Sequence, residues 1–309
     1  MLVILLLCVL SGCKGDAKNG SAAQRTAVAT TTGFSGDAAY NYAKAQVAFG
    51  PRVPGTPAAK QAGDWIIRQM RARADTVIVQ SFTYTTADGK KLPLRNILAR
   101  FRPDLPNRVL YLTHWDSRPM SESATTEAEK KMPVPGANDG ASGVGMFVAL
   151  GDVLKKTKPV VGVDLLFTDG EDYGQFGPPE VDVLIGAKYF AAHLPSPGYK
   201  PIYGVLWDMI GDKDLRIPYE MNSFQQVPDV VSKVWQTAAD LGHADIFVQE
   251  SGGQITDDHV PLLNAGLRVI DVIDLTYPPH HTPQDTMDKI SPKSLGIVGD
   301  VATALVTRR

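Results

Sequence analysis

Acidic and imidazole side chains stand just after several apolar, strand-like segments of the sequence. They are His114 after residues 108–113, Glu171 and Asp172 after 162–167, Asp208 after 202–207, and His280 and His281 after 268–273. Another carboxylate, Asp139, directly precedes a helical pattern. Ligands bind beyond the carboxyl ends of the strands in open α/β sheets, so we expect these side chains to share one edge of a sheet. Taken singly, each of these residues has an ordinary structural explanation; for Asp139 it is a helix N-cap. The whole set favours a functional site.

The chemistry of these side chains points to a bound metal ion. Zinc accepts imidazole nitrogen and carboxylate oxygen, and a catalytic zinc site leaves one coordination position open. Several carboxylates placed close together repel one another, which a divalent cation relieves. One acid must stay off the metal to carry protons, and in the adjacent pair Glu171 and Asp172 the two side chains can divide these tasks. Magnesium is less suited because it favours oxygen ligands over histidine.

Strand-like and helical segments alternate along most of the chain. The helical patterns cover residues 37–49, 58–73, 143–156, 187–193, 228–241 and 292–306, and the strand-like runs cover 76–84, 96–101, 108–113, 162–167, 202–208 and 268–273. This alternation predicts an α/β fold, a three-layer α/β/α sandwich around a mixed, mostly parallel central sheet. The first two strands, separated by Ala87-Asp88-Gly89, predict a hairpin. No linker divides residues 35–309, which we interpret as one catalytic domain.

The composition limits the classes of protein that are compatible with this site. The 309 residues include 31 Lys and Arg against 33 Asp and Glu, a formal net charge of -2. Nucleic-acid binders normally carry a basic surface, so no nucleic-acid partner is expected. Two cysteines exclude a disulfide scaffold and a Cys-based zinc finger. With 44% apolar residues, the chain has enough material for the core of an enzyme or a binding protein.

The N-terminal segment predicts export. Residues 2–10 form an apolar run that is too short to span a bilayer and is typical of a secretory signal, so residues 1–12 are interpreted as a signal peptide. The sequence Leu10-Ser11-Gly12-Cys13 resembles a bacterial lipobox, which predicts lipidation of Cys13; the alternative is an ordinary signal peptide with a chance cysteine. Residues 13–34 are interpreted as a flexible tether. We therefore expect an exported lipoprotein anchored to a membrane of a bacterial envelope.

The order of the polar motifs resembles that of the zinc-dependent aminopeptidase superfamily, which also contains the glutaminyl-peptide cyclotransferases. The segments that carry the resemblance are His114-Trp115-Asp116-Ser117-Arg118-Pro119, residues 135–143, Asp169-Gly170-Glu171-Asp172, Asp257-Asp258-His259-Val260-Pro261 and His281-Thr282. Ordinary aminopeptidases of the superfamily usually have Ser or another small residue where this chain has Asp257. The chain is therefore most similar to bacterial members of the glutaminyl cyclase branch.

The resemblance implies a role for each of the polar residues. Zinc is expected on Asp139, Asp172 and His281, and Glu171 is expected to be the general acid and base. Asp208 and Asp257 are expected to form a hydrogen-bonded pair of acids.

Metal stoichiometry stays open between the two branches of the superfamily. In the two-metal peptidases the positions of His114 and Asp208 hold a second zinc, with that of Asp139 bridging, so one zinc is expected for a cyclase and two for an aminopeptidase. The resemblance also implies a cis peptide bond between Asp139 and Gly140.

Two departures from the family pattern concern the metal and the substrate pocket. Asp172 stands where animal cyclases have Glu, so its backbone must approach the metal more closely. His280 stands where cyclases have a Trp that stacks on the substrate. Of His280 and His281, adjacent on an extended loop, we expect only His281 to point inward. Phe176, Ile255 and Tyr277 are expected to line an apolar pocket.

Three functions follow from the resemblance and from the intact set of polar residues. The first is conversion of an N-terminal glutamine into pyroglutamate with release of ammonia. The second is a metal-dependent aminopeptidase, in which Glu171 deprotonates a metal-bound water. The third is a lipoprotein that binds peptides without catalysis. The expected partners are peptides or proteins with a free N-terminus, with glutamine favoured for a cyclase.

Overall fold

A computed structural model describes residues 32–308 of the chain, and the statements below concern this range. The expected signal peptide, Cys13 and nearly all of the expected tether lie outside the described residues, so the expectations about them stay predictions. Within residues 32–308, no helix combines the length and apolar character needed to cross a membrane.

Helices and strands alternate along the described residues. The helices are α1 (Gly36–Val47), α2 (Pro57–Arg71), α3 (Ala141–Lys156), α4 (Ile185–Ala192), α5 (Met221–Gln226), α6 (Pro228–Asp240), α7 (His259–Asn264) and α8 (Pro292–Thr307). The strands are β1 (Thr76–Thr85), β2 (Lys91–Phe101), β3 (Arg108–His114), β4 (Gly162–Thr168), β5 (Tyr203–Asp208), β6 (Ile217–Tyr219), β7 (Phe247–Ser251) and β8 (Val269–Ile273). Every segment predicted from the sequence is present, with its ends shifted by a few residues.

The central sheet has six strands in the order β1-β2-β4-β3-β5-β8. Strands β4, β3, β5 and β8 run parallel, whereas β1, β2 and β4 pair antiparallel. The mixed, mostly parallel sheet and its hairpin are therefore as predicted. The register places His114 opposite Thr168 and Asp208 opposite Ile273, so the parallel strands end at the same edge.

Helices cover both faces of this sheet because successive strand residues point to opposite sides. On one face Val109 and Tyr111 of β3 join the core formed with α1, α2, α3, α6 and α8. On the other face Leu110 and Leu112 pack with residues of α4 and α7. The two buried clusters confirm the three-layer α/β/α sandwich.

The start of α3 lies directly against the ends of β3 and β5. A Cβ built on Gly143 would lie 2.0 Å from the hydroxyl oxygen of Thr113 and 2.8 Å from the carbonyl oxygen of Trp207. Only glycine permits this approach. It brings Asp139, just before α3, between the residues that end β3 and β5. The peptide bond between Asp139 and Gly140 is cis, as the resemblance implied.

The sequence did not predict the short elements β6, β7, α5 and α7. Strands β6 and β7 pair parallel in a separate sheet of two strands. Strands of three and five residues, and helices of six, are too short to show a clear hydrophobic period.

Candidate metal and catalytic site

The polar residues expected at the sheet edge meet there. His114 ends β3, Asp139 precedes α3 and Asp208 ends β5. The Nε2 atom of His114 lies 2.9 Å from Oδ1 of Asp139 and 3.2 Å from Oδ1 of Asp208. Burial lowers the pKa of His114, but the charge of Asp208 and the close contacts with the carboxylates of Asp116, Asp139 and Asp208 outweigh it and raise that pKa well above its ordinary value. These three residues form one compact group of possible metal ligands.

A second compact group consists of Asp139, His280 and His281. Oδ2 of Asp139 lies 3.7 Å from Nε2 of His281 and 3.9 Å from Nε2 of His280. The expectation that only one of the two imidazoles points inward is therefore wrong. The reason is the backbone: His281 has a φ of 55°, so the segment turns there instead of running extended, and the two adjacent rings approach the same carboxylate. Asp139 belongs to both groups.

Asp172 lies beside these donors but is also held by a cation. Its Oδ1 is 3.4 Å from Nε2 of His281 and accepts a hydrogen bond of 2.6 Å from Nη1 of Arg118. Burial and the charge of Asp139 raise the pKa of Asp172, while His281 and Arg118 oppose the shift. Asp172 is thus in contact with the expected metal histidine, although it is in neither of the two compact donor groups.

Arg118 and Glu122 form a support for His281 that the sequence analysis missed. Nε of Arg118 donates to Oε2 of Glu122 over 2.6 Å, and Oε1 of Glu122 lies 2.6 Å from Nδ1 of His281. A carboxylate on one ring nitrogen orients the other toward a metal, as is usual for metal-binding histidines. Burial lowers the pKa of His281, but Asp172 and Glu122 raise it to about 10. Arg118 belongs to the motif segment that begins at His114, whereas Glu122 belongs to none of the motif segments.

Glu171 is buried beside the donor groups without belonging to either. Its backbone N–H donates to Asp116 over 3.1 Å, and its Oε2 lies 3.7 Å from Nδ1 of His114. Burial raises the pKa of Glu171 well above its ordinary value; Asp257 and Asp172 add to the shift and His114 opposes it. A carboxyl group held near its protonated form suits proton transfer to and from a substrate.

Asp208 and Asp257 are both buried and both line the same pocket. Burial and then the charge of Asp208 raise the pKa of Asp257 well above its ordinary value. Oδ1 of Asp257 accepts a hydrogen bond from the backbone N–H of Asp258. A hydrogen bond between the two acids stays a prediction, supported by the pocket that both side chains line.

A further group of buried titratable residues lies behind Asp257. Nε2 of His259 is 3.2 Å from Oε2 of Glu220, and Nδ1 of His259 is 3.7 Å from Oδ2 of Asp271. Neither carboxylate oxygen of Asp271 has a hydrogen-bond partner within residues 32–308. Burial, followed by the charges of Asp257 and Asp208, raises the pKa of Asp271 well above its ordinary value.

The donors fit a divalent metal ion. Among the described residues, three buried carboxylate oxygens find no hydrogen-bond partner: Oδ2 of Asp139, Oδ2 of Asp172 and Oδ1 of Asp208. Unpaired buried carboxylate oxygens are costly unless a cation approaches them. A tetrahedral zinc with bonds of about 2.0–2.2 Å separates its ligands by about 3.3–3.6 Å. The separations of 3.4 and 3.7 Å from Nε2 of His281 to Asp172 and Asp139 are close to this range.

A pocket of about 320 Å³ opens onto these residues. Phe176, Ile255 and His280 line it together with Met209 and Leu275, as well as the acids. Tyr277 is placed differently from the expectation. Its ring is buried against Met209 and Ile273, and its hydroxyl donates to Asp285 over 2.7 Å, so it supports the pocket from behind.

A family comparison agrees with this geometry. The model of peptidase family M28 matches residues 96–306, which contain every candidate metal ligand and catalytic residue named above. The chain belongs to peptidase family M28. The family-level resemblance stated from the motifs is thereby confirmed.

Relatives of the chain carry the names of peptidases and of glutaminyl cyclases. A protein from Leptosphaeria maculans named "Probable zinc metalloprotease" is 32% identical over 182 residues, 54% of this chain and 39% of that protein. The chain thus spans less than half the length of this curated relative. The crystal structure of Porphyromonas gingivalis glutaminyl cyclase is 37% identical, with a TM-score of 0.85 over 88% of this chain and 97% of that one. A leucine aminopeptidase precursor from Bacteroides thetaiotaomicron is 34% identical, with a TM-score of 0.86 over 89% and 98%.

These relatives are enzymes, and their names include zinc metalloprotease, glutaminyl cyclase and aminopeptidase. Together with the donor groups around Asp139, they support a zinc site in this M28 chain. Cyclase and peptidase relatives have the same fold and similar identity to this chain, so the choice between the two reactions depends on the residues of the site itself.

Proposed function

We propose that this protein is a zinc-dependent glutaminyl-peptide cyclotransferase. The observation that carries the proposal is Asp257, an acid buried in the pocket whose pKa is raised by burial and by the charge of Asp208. Two close, buried carboxyl groups share a proton more readily than both ionise. In this proposal a protonated Asp257 donates to Asp208, which makes Asp208 a weaker metal ligand and favours a single zinc at the other donor group.

In this proposal Asp139, Asp172 and His281 hold the zinc. When bound, the zinc supplies a Lewis acid for the oxygen of the γ-carboxamide of the substrate. The α-amine of the N-terminal glutamine attacks the Cδ carbon, a C–N bond forms, and the bond to the amide nitrogen breaks with release of ammonia. Glu171 takes the proton from the attacking amine and returns it to the departing nitrogen.

The pocket contributes orientation. The attack is intramolecular, so a wall that holds the glutaminyl side chain folded back toward its own amine accelerates the reaction. Phe176, Ile255 and Leu275 offer an apolar wall of this kind. The carboxyl group of Glu171 lines the same pocket, within reach of a substrate there.

The decisive experiment measures two products and the metal content of the purified, zinc-loaded protein. We expect ammonia release from glutaminyl peptides, loss of that activity with a chelator, and one zinc per chain. Release of free N-terminal amino acids with two zinc ions per chain contradicts the proposal. Zinc binding with neither product indicates a non-catalytic peptide-binding protein.

The second candidate function is a di-zinc aminopeptidase. It is favoured by the intact group of His114, Asp139 and Asp208, whose donor atoms lie close enough to hold a second ion. In that reaction Glu171 deprotonates the attacking water. Replacing Asp257 by Ser distinguishes the two functions, because a cyclase loses activity while an aminopeptidase retains it.

We also propose that the protein acts on peptides or proteins with a free N-terminus outside the cytoplasm, anchored through a lipid on Cys13. The lipobox-like sequence Leu10-Ser11-Gly12-Cys13 supports this proposal. We expect labelled palmitate to be incorporated into the wild type and not into the Cys13→Ala variant. Secretion of both as equally soluble, unlabelled proteins contradicts it.

A further inference from the structure

His280 and His281 approach one carboxylate from neighbouring positions in the chain. The Nε2 atoms of the two rings lie 3.9 and 3.7 Å from Oδ2 of Asp139, and the ring centroids are 3.7 Å apart. One donor atom from each of the three residues lies within 4.8 Å of the other two. Oδ2 of Asp139, the atom that both imidazoles approach, is buried and has no hydrogen-bond partner in the part of the chain that the structure describes.

The local backbone explains how adjacent histidines serve one site. The segment turns after Pro278 and Pro279: the N–H of His280 donates to the carbonyl of Tyr277 over 3.3 Å, and that of Thr282 donates to the carbonyl of Pro279 over 3.1 Å. With φ at 55°, His281 continues this turn. The two side chains therefore lie together on the inner side of the turn.

The two imidazoles differ in how firmly they are held. Nδ1 of His281 is fixed by Glu122, and the side chain is 11% exposed. The His280 side chain is 44% exposed, and within residues 32–308 no hydrogen bond fixes its ring. His281 is thus oriented from behind by Glu122, whereas His280 is more exposed and has no such anchor among the described residues.

We propose that His280 is an additional ligand of the metal at Asp139, bound through Nε2 in the resting protein and displaced when a substrate arrives. The inference rests on the metal site of the proposed function, but it holds for a cyclase or a peptidase alike. Asp139, Asp172, His281 and His280 together supply four protein donors, the number of a closed zinc site. Catalysis needs one open position, and His280, the more exposed of the two histidines, is the donor that can leave.

Two effects are expected when the His280 imidazole is removed: weaker metal binding and access of an added ligand to the metal. The metal is held less tightly, by about tenfold or more, because one ligand is lost. The vacated position becomes accessible, so added imidazole binds the metal of the variant. A histidine that only lined the pocket would produce neither effect.

The test uses the full chain loaded with cobalt(II), whose visible spectrum reports the ligands, and zinc affinity measured by competition with a chelator. The variants are His280→Ala and, as a control from the same pocket, Leu275→Ala. We expect the cobalt spectrum to change and zinc affinity to fall in His280→Ala only. Added imidazole should restore the wild-type spectrum in His280→Ala and leave the wild-type protein unchanged.

Spectrum and zinc affinity that are the same in the wild type and in His280→Ala overturn the inference. The failure of the proposed metal site is a separate result, seen as absence of zinc binding by the wild type. An Asp139→Ala variant completes the comparison, because it should lose the metal whether His280 is a ligand or only lines the pocket. Imidazole that changes the wild-type spectrum as strongly as that of His280→Ala shows an open position and also contradicts the proposal.

Discussion

The two ends of strand β4 bury carboxylates in opposite ways. Near its start, Asp164 is fully buried and accepts hydrogen bonds from Arg108 over 2.8 Å, Arg100 over 3.0 Å and Tyr199 over 2.8 Å. Beyond its end, Glu171 and Asp172 belong to a set of buried acids that includes oxygens with no hydrogen-bond partner. The carboxylate near the start of the strand is thus neutralised by cationic partners, whereas the carboxylates beyond its end have too few partners.

The difference separates a structural charge from a functional one. A buried ion is tolerated when it is paired and hydrogen-bonded, as Asp164 is by two guanidinium groups. At the other end, burial and mutual repulsion raise the pKa values of Glu171 and Asp257. Repulsion of this kind is relieved by a cation or used in proton transfer. Substitutions at the two ends should therefore affect different properties of the protein.

The largest expected effect is on catalysis, from Glu171→Gln. The variant keeps the shape of the side chain but cannot carry a proton, so kcat for ammonia release should fall by about 10²- to 10⁴-fold. Zinc content should change little, because Glu171 is not a ligand in the proposed site. Glu180→Gln, on a partly exposed ion pair with Lys188, is the control and should keep wild-type kcat. Substantial residual activity in Glu171→Gln would remove the assigned role.

At the opposite end of β4, Arg108→Met should reduce stability rather than specific catalysis. It leaves Asp164 buried with one guanidinium fewer, which typically costs about 3–5 kcal/mol of unfolding free energy. We expect the lower part of this range, since Arg100 and Tyr199 still bind Asp164. Urea unfolding measures the loss.

Arg268→Met is the matched control for this prediction, because Arg268 pairs with Asp229 on the surface. Exposed ion pairs contribute about 0–1 kcal/mol, so little change is expected. Equal losses from Arg108→Met and Arg268→Met would show that the buried pair at the start of β4 is not the structural support we take it to be.

The contrast between the two ends could be foreseen from the sequence only in part. The alternation of strand and helix patterns was enough to predict the central sheet and the edge at which the site lies. The acids and imidazoles after the strands identified the residues of the site. The pairing of adjacent histidines could not be foreseen, because it depends on the positive φ of His281. Glu122 was missed because it belongs to none of the motif segments and to no strand or helix pattern. Contacts over long sequence separation bring Arg118 and Glu122 to Asp172 and His281.

The Arg118–Glu122 pair modifies the contrast between the two ends of β4, because it places a neutralising guanidinium beside the acids of the metal site. Glu122→Ala removes the carboxylate that orients His281, and zinc affinity should fall about 10- to 100-fold. Competition with a chelator at fixed pH measures the change. Glu127→Ala is the control from the same loop, where Glu127 forms an exposed pair with Lys130. A zinc affinity that is unchanged in Glu122→Ala would mean that the turn alone orients His281.

The smallest expected effect is a change of pH dependence, from Asp271→Asn in the metal-free protein. The folded state holds the pKa of Asp271 well above the value of an unfolded chain, through burial and the charges of Asp257 and Asp208. As the pH rises above about 4, the unfolded chain releases this proton first, so the folded state binds more protons and the unfolding free energy falls. Asparagine does not titrate and lacks this contribution. The variant should therefore gain stability relative to the wild type between pH 5 and pH 8.

Urea unfolding at these two pH values measures the difference in slope, which is insensitive to any constant effect of the substitution on packing. The exposed Asp240, at the end of α6, provides the control Asp240→Asn, which should keep the wild-type slope. If Asp271→Asn also keeps the wild-type slope, Asp271 is neutralised as fully as Asp164. The contrast between the two ends of β4 is then confined to the metal ligands.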